Sequence, residues 1–124
     1  MTAMPWQFNS TEAVFLQIAD RLRHDIINGK YQPNQQFPSV RQLASIAAVN
    51  PNTMQKALTC LEDDGLLHAH GTAGRFVTSD TAVFAAVREK LLRDTVRHWL
   101  EQAKSLNIST EELINYIKEE AKTP

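Results

Sequence analysis

The sequence is poor in cysteine and has no long apolar run. Its single cysteine, Cys60, excludes an internal disulfide and any metal site built from several cysteines. No apolar run reaches the roughly 18 to 20 residues of a membrane-spanning helix, and the N-terminus lacks the basic and then apolar pattern of a signal peptide. The four histidines are scattered and form no helical i, i+4 pair beside acidic residues, which argues against a catalytic zinc site. We therefore expect a cytoplasmic protein without a metal ion or a cofactor.

Acidic residues are missing from long parts of the chain, although the formal net charge is only −1. None occurs from Ile26 to Leu61, a stretch that contains Lys30, Arg41 and Lys56, and none occurs from Gly65 to Ser79. The carboxylates are confined to the first predicted helix, to the short cluster between these stretches and to the C-terminal part. The folded protein can therefore present one neutral or positive surface, as an anionic partner requires.

The first two helices are predicted from their end signals. Ser10 or Thr11 can cap a helix that Gly29 ends. Ser39 followed three residues later by Gln42 matches a capping box, so a second helix begins there. The helical spacing of apolar residues predicts that these helices bury Phe15, Ile18, Leu22, Ile26, Leu43, Ala44 and Ala47.

A third helix begins at Asn50 and Pro51, because a proline at the first helical position removes no intrahelical hydrogen bond. Only a few residues separate it from the second helix, so the two must cross steeply, as in a helix-turn-helix. Its predicted apolar stripe consists of Met54, Ala57, Leu58 and Leu61. Its opposite face is polar, with Asn52, Thr53, Gln55, Lys56 and Thr59, and is free of carboxylates until Glu62.

A β-hairpin follows the third helix, which Gly65 ends. The segments LLHAH and RFVTS read as two short strands around Gly71–Gly74. The order of helix, helix-turn-helix and hairpin is that of a winged helix. The sequence therefore predicts a mostly α protein with a small β-hairpin, in which residues 1–78 form a winged helix-turn-helix DNA-binding domain.

Residues 79–124 are predicted to form a helical dimerisation region of two helices. A long helix runs from Asp80 to about Leu106, and Asn107 can end it in the left-handed conformation. A capping box at Ser109–Glu112 opens a short helix with three apolar residues directed inward: Leu113, Ile114 and Ile117.

An apolar stripe on the long helix, formed by Leu92, Val96, Trp99 and Ala103, predicts a homodimer. A ligand pocket is the alternative, but two helices cannot enclose a drug-sized cavity without a partner. If a small-molecule effector exists, we expect it at or near the dimer or domain interface.

Several separately spaced motifs resemble one family: QI at positions 17 and 18, PSVRQLA from Pro38, NPNT from Asn50, the LEDDGLL turn and a wing ending in GRFV. From about Ala13 to Val77 the chain resembles the DNA-binding domain of GntR-family bacterial transcription regulators. With its short helical C-terminal region it looks like the YtrA subfamily. Pro51 and Gln55 stand where many members carry arginine. The resemblance implies DNA contacts by Arg41, by Asn50, Asn52, Thr53 and Gln55, and by His70 and Gly71 at the wing tip.

Physical arguments add further contacts. Backbone N–H groups at the helix starts near Ser39 and Asn50 suit phosphate oxygens. Lys56 shares the carboxylate-free face. Arg75 either contacts a phosphate or simply flanks the wing strand.

Together these features predict a sequence-specific DNA-binding regulator, a repressor, that binds double-stranded DNA at an inverted-repeat operator as a homodimer. The resemblance implies that its target genes include a neighbouring membrane transporter. The alternative is a winged helix that serves as a protein-interaction module. An enzyme is not expected, because no nucleophile with a plausible base, no phosphate-binding loop and no metal-ligand set appears.

Overall fold

The computed structural model describes residues 6–123, which contain five α-helices and one two-stranded antiparallel sheet. None of the helices in this range is long and apolar enough to cross a lipid bilayer. The architecture confirms the predicted mostly α chain with a small β-hairpin. In chain order the elements are α1 (Val14–Ile27), α2 (Val40–Ala47), α3 (Pro51–Asp63), β1 (Leu67–Ala69), β2 (Arg75–Val77), α4 (Thr81–Ser105) and α5 (Thr110–Ala121).

The chain divides into two compact units, one ending at Arg88 and the other beginning at Glu89. The first unit contains α1 to α3, the hairpin and the first turns of α4. The second contains the rest of α4 and all of α5. The assignment of residues 1–78 to DNA binding and of residues 79–124 to dimerisation stays a prediction, because compactness does not reveal which part binds a partner.

The core of the first unit lies where α1 faces α3. Ile18 and Leu22 of α1 and Met54 and Leu58 of α3 are completely buried. Burial of such a side chain stabilises the fold by about 1.5–3 kcal/mol, so this contact fixes the rotation of α3 about its axis. Phe15 is only partly buried against the core. The other residues predicted to be buried in these three helices are buried: Ile26, Leu43, Ala44, Ala47, Ala57 and Leu61.

A part-buried ion pair joins α1 to the end of α3. Arg23 Nε donates a hydrogen bond of 2.6 Å to Asp64 Oδ2. Burial lowers the pKa of Arg23, but the hydrogen bond and charge of Asp64 outweigh it and raise the pKa above its usual value. The pair neutralises one carboxylate of the acidic cluster Glu62–Asp64 at the end of α3.

Both predicted helix starts in the helix-turn-helix are confirmed. Ser39 Oγ accepts a hydrogen bond from the Gln42 backbone N–H at 3.1 Å, and Gln42 Oε1 accepts one from the Ser39 backbone N–H at 2.9 Å. Asn50 Oδ1 accepts from the Asn52 backbone N–H at 2.7 Å, and Pro51 is the first helical residue. These bonds satisfy backbone donors that a helix start otherwise leaves without partners.

A tight turn at Ala48 connects α2 to α3. Ala48 has a φ of +58°, in the left-handed region. The Val49 N–H donates to the Ala44 carbonyl at 3.0 Å, which ends α2 and leaves only a few residues before α3 begins.

The predicted cap of α1 is wrong. Helix α1 begins at Val14, and neither Ser10 nor Thr11 caps it. Instead, Asn9 Oδ1 accepts hydrogen bonds from the backbone N–H and the hydroxyl of Thr11, which forms a local turn. The Gln17 amide donates to the backbone carbonyls of Asn9 and Glu12 and fixes this turn against the helix.

In the second unit, α4 ends as predicted but α5 buries fewer residues than predicted. Asn107 adopts a left-handed φ of +61°, and Ser109 Oγ accepts from the Glu112 N–H at 3.1 Å. Leu113 is half-buried, whereas Ile114 and Ile117 are 44% and 40% exposed. Ile117 nevertheless faces α4, since it lines a cavity between the two helices together with Leu113. The inward prediction is wrong for Ile114, because a two-helix unit covers only one side of each helix.

The left-handed residue between α2 and α3 predicts a stabilising substitution. An L-residue in the left-handed conformation costs roughly 1–2 kcal/mol of stability. Glycine adopts this conformation freely, but its greater freedom in the unfolded chain lowers the stability by about 0.4–1 kcal/mol. Ala48→Gly should therefore raise the free energy of unfolding by about 0.5–1 kcal/mol in urea denaturation. The control Ala47→Gly, at a buried helical position, should lower it by about 1 kcal/mol. Equal losses in both variants would contradict the assignment of the turn.

Candidate nucleic-acid interface

From Asn52 to Thr59, the face of α3 opposite the buried stripe is polar and free of carboxylates, and the exposed Asp63 follows on the same side of the helix. Asn52, Gln55, Lys56 and Thr59 are exposed, and Thr53 is half-buried. The Thr59 hydroxyl donates to the Gln55 carbonyl at 3.0 Å, so it is occupied within the helix. The amides of Asn52 and Gln55 are side-chain groups that can form paired hydrogen bonds with an adenine edge.

The starts of α2 and α3 leave donors available on capping residues. Ser39 and Asn50 are exposed, and each uses its side-chain oxygen to cap a helix. The Ser39 hydroxyl hydrogen and the Asn50 NH₂ group remain as donors. Neutral donors at two helix N-termini suit phosphate oxygens, since the helix dipoles favour negative charge at the same place.

The cations of the acid-free stretch from Ile26 to Leu61 differ in whether they already have an acidic partner. Within residues 6–123, neither Arg41 nor Lys56 takes part in a salt bridge, and both are exposed. Lys56 Nζ lies 5.8 Å from the ring centre of Phe15. By contrast, Lys30 Nζ lies 3.7 Å from a carboxylate oxygen of Asp25. Arg41 and Lys56 therefore carry the positive charge of the surface.

The wing is a hairpin whose tip is exposed. In the sheet His68 pairs with Phe76, and the His70 N–H donates to the Gly74 carbonyl at 2.9 Å across the tip. Gly71 has a φ of +52°, and a Cβ there would meet nothing within 4 Å, so the backbone at the tip is open to a partner. The His70 ring contacts the Phe76 ring edge-on, with ring centres 5.2 Å apart.

Arg75, predicted either to contact a phosphate or to flank the wing, is already paired. Its Nε donates to Glu62 Oε1 at 2.6 Å, and the two side chains are 20% and 32% exposed. The sequence analysis did not identify Glu62 as its partner. The available signal was that Glu62 is the first acid after a long acid-free stretch and Arg75 is the only Lys or Arg residue between Gly65 and Ser79.

A second group missed in the sequence analysis is the segment before α2. Its backbone pairs with β2, since the Phe37 N–H donates to the Arg75 carbonyl and the Val77 N–H donates to the Gln35 carbonyl. The Gln36 side chain donates to the Ala73 carbonyl at 2.7 Å. The extended conformation that Pro38 imposes on Phe37 was the sequence signal for this pairing.

A surface cleft of about 530 Å³ lies beside the start of α2 and the wing. Ser39, Gln42, Gly74 and Arg75 line its polar part, and the half-exposed Ile46 lines its apolar part. The cleft thus brings one of the two exposed helix starts to the base of the wing. Among the residues that the structure describes, no three His, Cys, Asp or Glu side chains are grouped as a metal site.

The predicted dimerisation residues of the second unit differ in exposure. Leu92, Val96 and Trp99 are 50%, 48% and 45% exposed. Ala103 is buried within the unit itself and lines a cavity of about 280 Å³ between α4 and α5. Only the first three residues are therefore available to a partner.

The sequence profile for "Bacterial regulatory proteins, gntR family" matches residues 15–77. The chain belongs to the GntR family. The matched segment contains α1, α2, α3 and the hairpin, so the face described above lies in the domain that defines the family.

This GntR-family protein is similar to curated relatives over most of its length. It is 30% identical over 112 residues to the uncharacterized HTH-type transcriptional regulator YhcF of Bacillus subtilis (strain 168), a match that covers 90% of this chain and 93% of that relative. It is 29% identical over 112 residues to the HTH-type transcriptional repressor YtrA of the same organism, over 89% and 85% of the two chains. The protein is a YtrA-like member of the family and not an enzyme.

Solved structures share the fold. A GntR family transcriptional regulator from Listeria monocytogenes superposes with a TM-score of 0.81 at 24% identity, over 90% of this chain and 98% of that chain. AraR(DBD) in complex with operator ORR3 superposes with a TM-score of 0.53 at 27% identity, over 60% and 90% of the two chains. Together with the family match, these comparisons identify a GntR-family DNA-binding transcriptional regulator.

Asn50 allows capping and DNA binding to be separated. Aspartate caps helices as well as asparagine does, so Asn50→Asp should leave thermal unfolding unchanged to within about 0.5 kcal/mol. The added charge should nevertheless repel phosphates and weaken DNA binding about tenfold or more. DNA affinity is measured by fluorescence anisotropy.

The control Ser109→Asp introduces the same charge at the cap of α5. It should leave both stability and DNA affinity unchanged. Unaltered DNA binding by Asn50→Asp would show that Asn50 is a cap and nothing more.

Proposed function

We propose that this protein is a repressor that binds an inverted-repeat operator as a homodimer. The observation that carries the proposal is the exposed first half of α3, which has no carboxylate and begins with donor groups. The start of α2 provides further donors. A protein that binds DNA uses such a recognition helix in the major groove, with its N-terminal residues at the base edges.

Base contacts in this proposal come from amides and one guanidinium. Asn52 and Gln55 are placed to pair with adenine, and Arg41 with guanine, because these side chains form two-pronged bonds to those bases. Thr53 is half-buried beside them and offers a methyl group and a hydroxyl group. Asn50 offers its NH₂ group at the helix start.

Phosphate and wing contacts fix the register of the helix on the duplex. Ser39 and the backbone N–H groups that follow it suit one phosphate, and Lys56 suits another. His70 and Gly71 form the exposed wing tip and are assigned to a neighbouring groove. These contacts position the protein, whereas the amides and Arg41 give it sequence preference.

The homodimer is supported by the distribution of exposed apolar side chains. Of the large hydrophobic residues that the structure leaves exposed, all but Leu16 and Ile46 lie in the second unit. Apolar surface concentrated in this way is typical of an association interface. A twofold dimer also matches the symmetry of an inverted repeat.

The regulatory part of the proposal rests on the relatives and on the family. YtrA of Bacillus subtilis is named a repressor, and we assign the same action to this protein, within the cytoplasm and on genes that include a membrane transporter. A small apolar effector would fit the cavity between α4 and α5.

The protein-interaction module is the weaker candidate, since Arg41 and Lys56 are left without acidic partners in the described chain.

The proposal predicts selective and salt-dependent binding to the DNA upstream of the protein's own gene. Anisotropy should show affinity at least about a thousandfold above that for random DNA, falling steeply as salt rises. Arg41→Ala should cost roughly 1–3 kcal/mol on the operator and relax the preference for one base. Lys118→Ala removes an exposed cation of α5 and serves as the control.

Weak binding of equal strength to both DNAs calls for selection from a random DNA pool. Recovery of a palindromic sequence would support the proposal and show that the operator lies outside the DNA upstream of the protein's own gene. Failure to enrich any sequence would favour the protein-interaction module. If Arg41→Ala loses the same affinity for all DNAs, Arg41 contacts a phosphate and not a base.

The dimer is tested by a charge placed on the exposed stripe of α4. Val96→Glu should raise the dimer dissociation constant at least about a hundredfold, because an unpaired charge would be buried in the interface. Operator affinity should fall with it. His98→Glu places the same charge on the opposite side of α4 and should change neither. Analytical ultracentrifugation measures the association, and an unchanged dimer in Val96→Glu would exclude this stripe as the interface.

A further inference from the structure

The wing has few contacts to hold its tip in place. Each of its strands contains three residues, and a two-stranded hairpin alone is at best marginally stable in water. Leu67 and Val77 anchor the base of the hairpin in the core. The residues from His70 to Gly74 are all exposed. Backbone hydrogen bonds from the segment before α2 hold β2 as far as the Arg75 carbonyl. Beyond Arg75, the direction of the tip depends on side-chain contacts.

One such contact joins the wing to the recognition helix. Arg75 begins β2 and Glu62 lies in the last turn of α3, and their side chains meet at 2.6 Å between Nε and Oε1. Both side chains are largely covered, at 20% and 32% exposure. A directional, partly buried ion pair is more ordered than a pair on the open surface.

A second contact joins the wing to the segment before α2. Gln36 Nε2 donates to the Ala73 carbonyl at 2.7 Å, beside Gly74. A Cβ at Gly74 would lie 3.4 Å from Gln36 Nε2, so a side chain there would crowd this hydrogen bond. The Gln36 contact reaches the tip itself, whereas the Arg75 contact reaches the strand that leads from it.

We propose that Arg75 and Glu62 form a positioning pair that sets the wing at a fixed angle to the recognition helix. The inference rests on the proposed function, because the fixed angle matters only when α3 and the wing tip bind one DNA together. It replaces the phosphate contact that the sequence suggested for Arg75. A guanidinium bound to a carboxylate brings no net charge to a phosphate.

The two roles of Arg75 predict opposite effects for Glu62. If Arg75 binds a phosphate, loss of Glu62 frees a cation and removes a negative charge, so DNA binding becomes tighter. If the pair positions the wing, loss of either partner weakens binding. Removal of a carboxylate by itself should strengthen binding to DNA. Weaker binding after the loss of Glu62 therefore identifies the positioning role.

The experiment compares the affinities of Glu62→Ala, Arg75→Ala, the double variant and the wild type for the DNA that the wild type binds selectively. We expect each single variant to bind about threefold to tenfold more weakly and the double variant to bind no more weakly than either single variant. The salt dependence of binding should keep its slope, whereas loss of a phosphate contact lowers the slope by about 1. Asp63→Ala removes an exposed carboxylate that makes no salt bridge within residues 6–123 and should not weaken binding.

Amide hydrogen exchange of the protein without DNA gives an independent readout. The His70 and Ala73 N–H groups are bonded within the wing and should exchange faster in both single variants, while the amides of α1 keep their protection. Tighter or unchanged DNA binding by Glu62→Ala, or unchanged wing exchange, would overturn the positioning pair. Absence of selective binding by the wild type would refute the proposed function instead, and the exchange result would still decide whether the pair holds the wing.

Discussion

The burial of one stripe of α3 against α1 determines what the first unit can present to a partner. Met54 and Leu58 have no exposed surface, so rotation of α3 about its axis would expose apolar surface at a cost of about 25 cal/mol for each Å². The burial of this stripe thereby holds the polar side chains of the opposite face outward. Their orientation is a consequence of the core.

The polar groups at the helix starts serve stability first and leave a donor for a second use. Ser39 and Asn50 each use an oxygen to cap a helix, and the donor on the same side chain stays available. Capping and the proposed DNA contacts would therefore depend on the same residues, which explains why conservative substitutions there are informative.

Features encoded by neighbouring residues could be predicted from the sequence, whereas features that join distant segments could not. The capping box at Ser39 and the proline start of α3 depend on residues a few positions apart, and both were confirmed. The Arg75–Glu62 pair and the Gln36 bond join residues 13 and 37 positions apart, and no local pattern indicates them. The predicted cap of α1 was wrong because Asn9 binds the backbone N–H and the hydroxyl of Thr11 and thereby places Thr11 in a turn before the helix. Which side chains touch DNA stays a prediction.

The charge distribution of the first unit has a consequence for how the protein searches a chromosome. Of the three cations between Ile26 and Leu61, Arg41 and Lys56 have no acidic partner within the described chain, whereas Lys30 pairs with Asp25. Non-specific affinity for DNA comes from neutralised phosphates, so a surface with few available cations holds random DNA only briefly. Short residence at each wrong site permits rapid release and re-encounter. If the amides of α3 contact bases as proposed, their hydrogen bonds would then decide the time spent at a site.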